Sequence, residues 1–276
     1  MLRYRRVPER SPCRGFLPAV LIAFVALFSA NSAGAQNTDP DRFLKWSYQD
    51  GAALLQQLPH LAPRFALGGA ALLFPMTTFD TPVLQGVQRG NRGVVFDFLE
   101  TANPLGGPKV APAAAGLFAA TLLTDDTRLQ DAAFTSLQSI LYAGTAVYSL
   151  KYTFGRFRPE TGAGVREFDM FSGNTSFPSG HTATAFALVT PWVMYYPGPV
   201  TYGLMALPIG TAVARIAKDR HWPTDVLAGA AIGYMTAQFL SNRHLNAQKR
   251  DERPRIEVTP AVAPGAVGVH FRVGID

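Results

Sequence analysis

The sequence has a single cysteine, Cys13, and it lies near the start, ahead of an apolar run. If that leading stretch is removed, the remaining chain has no thiol, which excludes disulfides, zinc–thiolate centres and a cysteine nucleophile. Positive charge is also scarce once it is located. Of the net +6, Arg3, Arg5, Arg6, Arg10 and Arg14 against Glu9 place +4 in residues 1–35, leaving +2 for the rest. That remainder gives no basis for nucleic acid as a partner. Long hydrophobic runs are missing as well. The apolar segments span 14 to 18 residues, short against the ~20 of a membrane-spanning helix. There is no internal repeat, no low-complexity tract and no carboxylate cluster suited to a metal ion.

Residues 1–35 have the pattern of a secretory signal: a basic start, the run "GFLPAVLIAFVALFSA", then small Ala33 and Ala35 before Gln36. The expectation is export with cleavage before Gln36; Cys13 precedes the apolar run and is not placed like a lipoprotein cysteine.

After an exposed lead-in around "QNTDPDR", six apolar segments follow: Phe65–Thr78, Val110–Thr124, Ala133–Leu150, Thr182–Tyr196, Val200–Ala217 and Val226–Leu240. Their length and their alanine and leucine content predict helices, so the expected fold is all-α. Small-residue stretches such as "DVLAGAAIGYM" allow helices to approach closely. Polar residues in "LTDDTRLQDAAF" suit the start of the third helix. Gly162, Gly164, Gly173 and Asn174 mark an irregular loop between the third and fourth. "SNRHLNAQKRDERPR" is expected as a solvated, charged linker, and the alternating stretch around Ala263-Pro264-Gly265 as a β-hairpin. The domains are then a signal at 1–35, a helical unit at 36–241, and a linker with hairpin at 242–276.

Three polar clusters stand at helix boundaries. In "KYTFGRFRP", Lys151 ends the third helix and Arg158 lies beyond it, before Pro159; two basic residues there also simply complement a helix dipole. In "NTSFPSGHTATAF", Ser179 suits a helix cap, and the same geometry aims backbone amides of a helix start at an anion. In "ARIAKDRHWPTDVLAG", Arg215 precedes His221 by six positions and Asp225 follows four later, with Pro223 suited to a first helical turn. Asp225 can then accept a hydrogen bond from one imidazole nitrogen and leave the other free to attack. Taken together, three cations, the neutral donors Ser179 and Gly180, and the titratable His181 and His221 suit a phosphate held between a nucleophile and a proton donor. His60, His244 and His270 lie outside the clusters and are expected at the surface or in loops. Trp192, Tyr195 and Tyr196 end the fourth helix, where packing accounts for them.

The order K-x6-R-P, P-S-G-H and R-x5-H-x3-D resembles the phosphatidic acid phosphatase type 2 / haloperoxidase superfamily, over Lys151 to Asp225. One departure is Ala214, where family members often have serine. The resemblance implies a six-helix bundle of the acid phosphatase/vanadium haloperoxidase type, to which the C-terminal hairpin is added. It also implies a metal-independent phosphatase with no cofactor. His221 would attack phosphorus to give a phosphohistidine, oriented by Asp225. His181 would protonate the leaving alcohol and then activate water. Lys151, Arg158, Ser179, Gly180 and Arg215 would hold the phosphoryl oxygens.

The implied substrates are phosphomonoesters or diphosphates, soluble or lipid-linked. The alternatives are a vanadium-dependent haloperoxidase, which a much longer chain would suit better, and a non-catalytic envelope protein. Topology leaves two options open. With a cleaved signal, three crossings would put Lys151–His181 on the cytoplasmic side, whereas lipid phosphatases of this kind usually face outward; the basic tail favours a cytoplasmic end. An exported helical bundle at a membrane surface removes the conflict. The expected location is therefore periplasmic or extracytoplasmic, with membrane integration and oligomeric state left open.

Overall fold

The computed structural model describes residues 41–251, 255–263 and 266–274. The expected signal at 1–35 and the side chains of His60 and His270 fall outside the described residues. Nine helices are found among those residues: α1 Asp41–Thr78, α2 Asp80–Gly90, α3 Gly93–Ala102, α4 Val110–Thr121, α5 Thr127–Phe154, α6 Gly180–Tyr195, α7 Pro199–Leu204, α8 Ala206–Ala217 and α9 Pro223–Asp251. Strands β1 (Arg255–Ala263) and β2 (Ala266–Gly274) pair antiparallel, with Arg255 opposite Gly274 and Ala263 opposite Ala266. The all-α expectation therefore holds through Asp251, with the hairpin appended.

Helix α6 is apolar on every side, as a helix must be when it is surrounded. It packs against α5, α8 and α9 and buries Ala183, Ala185, Ala187, Val189, Trp192 and Tyr195. Helix α5 starts within the polar stretch expected to precede it, at Thr127, where Asp126 accepts from Leu129 N at 3.0 Å. It runs antiparallel to α6, because Val147 and Lys151 lie beside Gly180 while Ser136 reaches Leu188 O. Helix α9 instead runs parallel to α6. A Cβ on Gly229 would sit 2.3 Å from Ser179 O, and one on Gly233 would sit 2.2 Å from Ala183 O. One turn along α9 matches one turn along α6, and both contacts require the absence of a side chain. Two helix N-termini, at Gly180 and Pro223, are thereby brought to the same end of the bundle as the C-terminus of α5.

Several expectations are corrected. Phe65–Thr78 is only the second half of α1, which begins at Asp41. In the lead-in, Arg42 is buried at 4% exposure and donates to Asp131 Oδ1 at 2.9 Å. The segment Val200–Ala217 is broken into α7 and α8 at Met205. Helices α2 and α3 were not expected at all. The linker stretch continues α9 to Asp251, because Ser241 and His244 face the bundle and are buried. His244 is the clearest case: its Nε2 lies 2.7 Å from Asp50 Oδ2, its Nδ1 is 2.8 Å from Thr135 Oγ1, and Trp46 stacks on its ring at 3.9 Å. Asp50 also accepts from Arg243 Nε at 2.8 Å and Gln138 Nε2 at 3.1 Å. This network ties α1 to α5 and α9 at the end of the bundle opposite Gly180.

The close approach of α9 to α6 gives a direct stability test. Gly229→Ala pushes a methyl against the Ser179 carbonyl and should destabilise by about 1–3 kcal/mol. Gly144→Ala, with nothing within 4 Å of the added Cβ, should leave stability unchanged or raise it by up to about 1 kcal/mol. Chemical denaturation of both variants measures the difference; equal midpoints would contradict the packing described.

Candidate functional site

The three sequence clusters meet at the end of the bundle where α5 stops and α6 and α9 start. Helix α5 ends with Gly155 in the left-handed conformation at φ 56°, its N–H bonded to Lys151 O at 2.9 Å. A Cβ there would also collide with Asp169 O, so glycine is needed twice over. The chain then leads through Arg156 and Arg158 into an irregular loop. Arg158 is partly exposed and contacts Thr175 Oγ1 at 3.1 Å and Glu160 Oε1 at 3.4 Å. Lys151 Nζ donates to Thr175 O, so both cations grip the loop that leads into α6.

Ser179 has the extended backbone of an N-cap residue but makes no capping hydrogen bond with its side chain. Its Oγ accepts from Thr182 Oγ1 at 3.0 Å instead, which corrects the cap expectation. The first helical backbone bond of α6 is Ala183 N to Ser179 O. The amides of Gly180, His181 and Thr182 therefore lie outside the helical ladder. A Cβ on Gly180 would be 3.7 Å from Lys151 Cε, which fixes how closely that lysine flanks the helix start. A Cβ on Gly106 would fall 2.3 Å from His181 O, so the turn after α3 backs directly onto this segment.

Arg215, on α8, is 8% exposed; Nη1 donates to Asn103 Oδ1 at 3.3 Å, and its Nε is buried without a partner. His221 lies just before α9 and is 2% exposed. Its Nδ1 is 3.7 Å from Asp225 Oδ2, too long for a hydrogen bond. The two groups face each other, as an ion pair only once the ring is protonated, and Nδ1 has no hydrogen-bond partner; bonds in such sites often tighten only when substrate binds. Asp225 is fully buried, and its Oδ2 accepts from Ser176 Oγ at 2.5 Å and Trp222 N at 2.9 Å. Its backbone carbonyl accepts from Ser179 N at 2.9 Å, which joins the second and third clusters directly. All eight residues expected from the sequence are thus gathered at one end of the bundle.

Sequence reasoning missed Asp80, Asn103, Arg156, Ser176 and Thr224. Asp80 and Asn103 are more than 70 positions from their partners, and no local pattern marks them. Arg156 carries a faint signal, as a third basic residue within "KYTFGRFRP".

The electrostatics follow from crowding cations in a partly closed space. Burial, followed by the charges of Arg215, His221, Lys151 and Arg158, pushes His181 down to about 3. Burial pushes His221 down to about 4, with Asp225 acting in the opposite sense. Lys151 falls to about 8 through burial and then Arg158. A bound dianion would reverse each of these shifts, since opposite charge favours the protonated forms. The arrangement can therefore hold a phosphate-like anion and hand it a proton.

Residues 132–249 match the family model described as the PAP2 superfamily. The matched segment contains all three motif clusters, from Lys151 to Asp225. A lipid A 1-phosphatase of Porphyromonas gingivalis is 38% identical over 99 residues, covering 35% of this chain and 20% of that protein. One from Rhizobium etli is 32% identical over 100 residues, covering 34% of this chain and 43% of that protein. The chain thus spans less than half the length of the curated relatives it matches. The crystal structure of Aquifex aeolicus LpxE aligns with a TM-score of 0.47 at 19% identity, covering 60% of this chain and 96% of that one.

Between their folded values near 3 and 4 and the ordinary 6.5, His181 and His221 bind fewer protons in the folded chain than in the unfolded chain. The contribution of these two groups is therefore fullest above pH 6.5 and falls as pH drops through that window, outweighing the opposite effect of the single Asp131, which burial raises to about 6. Thermal unfolding without added anion should move to lower temperature on acidification to about pH 5. Orthovanadate should restore more of the loss there than it adds above pH 6.5, because its binding draws protons onto these groups. A vanadate-induced shift that is independent of pH would contradict the coupling.

Proposed function

We propose that this protein is a metal-independent phosphatase acting on a lipid-linked phosphate at an extracytoplasmic membrane surface. One observation carries the reading: Lys151 flanks the start of α6 at Gly180, and the charges of Arg215, His221, Lys151 and Arg158 all act on His181 there. Cationic forks and oriented amides stabilise charge that builds on phosphoryl oxygens. Asp225 faces Nδ1 of His221, which leaves Nε2 as the attacking atom. Attack on phosphorus expels the alcohol and forms an N–P bond; His181 gives the departing oxygen its proton. In the second step His181 takes a proton from water, the hydroxide attacks phosphorus, and the N–P bond breaks to release phosphate. No other group has to change its protonation state across the cycle.

Two features favour a lipid over a soluble ester. Three of the similar curated proteins are lipid A 1-phosphatases by name. Beside Lys151, an exposed apolar face of α5 presents Tyr148 at 76% and Tyr152 at 61% exposure, continued by Met170 and by Phe171 at 60%. Tyr152 and Phe171 meet edge to face at 5.7 Å. A contiguous apolar surface beside a cationic site suits a substrate with a phosphate head and hydrocarbon chains. Among the described residues one stretch, Pro199–Ala217, is long and apolar enough to cross a membrane, and nearly half of it is buried within the bundle. Seating on the membrane surface needs no more than the exposed face of α5.

Phosphate release from lipid A, phosphatidic acid, a polyprenyl diphosphate and a soluble aryl phosphate should be compared on detergent-extracted and salt-washed fractions. The lipid phosphates should be hydrolysed faster, and activity should stay with the membrane fraction until detergent is added. His221→Ala should abolish turnover, and His181→Ala should lower kcat by roughly 10²–10⁴-fold. Full activity in His221→Ala would overturn the mechanism; a preference for the aryl phosphate would overturn the lipid assignment.

A further inference from the structure

We infer that Arg156 and Asp80 are positioning residues for His221, acting through Asp225, which rests on the phosphatase reading above. Arg156 follows α5 and its side chain is completely buried. Every guanidinium N–H has a partner. Nη1 donates to Asp225 Oδ1 at 2.6 Å and Thr224 Oγ1 at 2.9 Å. Nη2 donates to Asp80 Oδ2 at 2.7 Å and Val165 O at 2.6 Å, and Nε reaches Val165 O at 3.1 Å. Asp80, at the start of α2, is equally buried and accepts from Thr224 N at 2.9 Å and Thr224 Oγ1 at 2.7 Å. The rings of Phe168 and Trp222 flank the guanidinium at 5.6 and 5.4 Å, so water does not share its charge.

The consequence for His221 is both geometric and electrostatic. Oδ1 of Asp225 is held by Arg156 and Oδ2 by Ser176 and Trp222 N, so the carboxylate plane cannot rotate away from the imidazole. Two carboxylates share one guanidinium, which leaves a net charge of −1 facing a ring that turns cationic when it is phosphorylated. The other charged or titratable groups acting on that ring are Lys151 from α5, Arg215 from α8 and His181 from α6. Burial alone would raise Asp225, but its contact with His221 and the charge of Arg156 keep it low. Asp80, 145 positions from Asp225 and outside the segment that carries the family motifs, thus reaches the reacting end of the site through one side chain.

The two residues make opposite predictions, which a merely structural role does not. Arg156→Gln leaves two buried carboxylates unneutralised beside His221. The imidazole should then protonate more readily, and the acid limb of the kcat/KM profile should move to higher pH. Asp80→Asn removes one negative charge, and the same limb should move to lower pH. Both variants should lose kcat, by on the order of 10²-fold for Arg156→Gln, with KM little changed. Arg156→Lys, which keeps the charge but not the fork, should return the limb towards its wild-type position with only part of the rate. In an Asp225→Asn background, Arg156→Gln should add little further loss, as for residues acting as one unit.

The His221 titration followed by NMR reads the same shifts without turnover. A wild-type protein that releases no phosphate therefore overturns the phosphatase reading, whereas unmoved His221 titrations in Arg156→Gln and Asp80→Asn overturn this inference. If Arg156→Gln does not fold, as judged by circular dichroism, Asp80→Asn alone decides: a downward shift supports the inference and an unchanged value overturns it.

Discussion

The carboxylate of Asp225 is the contact on which the rest of the site depends. It is fully buried, yet each oxygen is satisfied: Arg156 on one side, Ser176 and the Trp222 amide on the other. The same residue's carbonyl accepts from Ser179 N. Through one side chain and one peptide, the end of α5, the start of α6 and the start of α9 are held in a single arrangement. A buried ion cluster of this kind contributes little net stability, because desolvation offsets most of the attraction. What it fixes is geometry, since losing any partner would leave a charge stranded without water.

Around that anchor, the scaffold is built by subtraction. Gly106, Gly155, Gly229 and Gly233 lie where a Cβ would strike the backbone of a neighbouring segment. Their absence of side chains lets two helix N-termini reach the same place. The cations that follow are not neutralised by carboxylates close at hand: Glu160 takes Arg220 and part of Arg158 at the rim, while Lys151 and Arg215 have no acidic partner among the described contacts. A buried cationic cluster depresses the histidines beside it, and a phosphoryl group supplies the charge that corrects this. Binding and proton transfer are therefore linked by the same electrostatics.

The sequence was most readable where chemistry and period were local. Lys151, Arg158, Ser179, Gly180, His181, Arg215, His221 and Asp225 all fall within short motifs, and the structure collects them at one end of the bundle. The apolar helices α4, α5, α6 and α9 were visible from composition alone. Helices α2 and α3 were not, being short, with much of their apolar surface exposed, as at Val94 with 84% exposure. Polar residues with distant partners were the other blind spot. His244 and Arg42 read as surface residues because the groups that satisfy them, Asp50 and Asp131, lie 194 and 89 positions away. Asp80 and Arg156 escaped for the same reason. The Ser179 cap failed for a local one: Thr182 engages the hydroxyl instead.

A covalent bond between His221 and phosphorus is the step from which the proposed chemistry follows. Two successive in-line displacements each invert the configuration at phosphorus, so hydrolysis of a lipid phosphorothioate made chiral with two oxygen isotopes, in water carrying the third, should give chiral inorganic thiophosphate with overall retention. Overall inversion would mean that water attacks the substrate directly, and would contradict a phosphohistidine intermediate at His221.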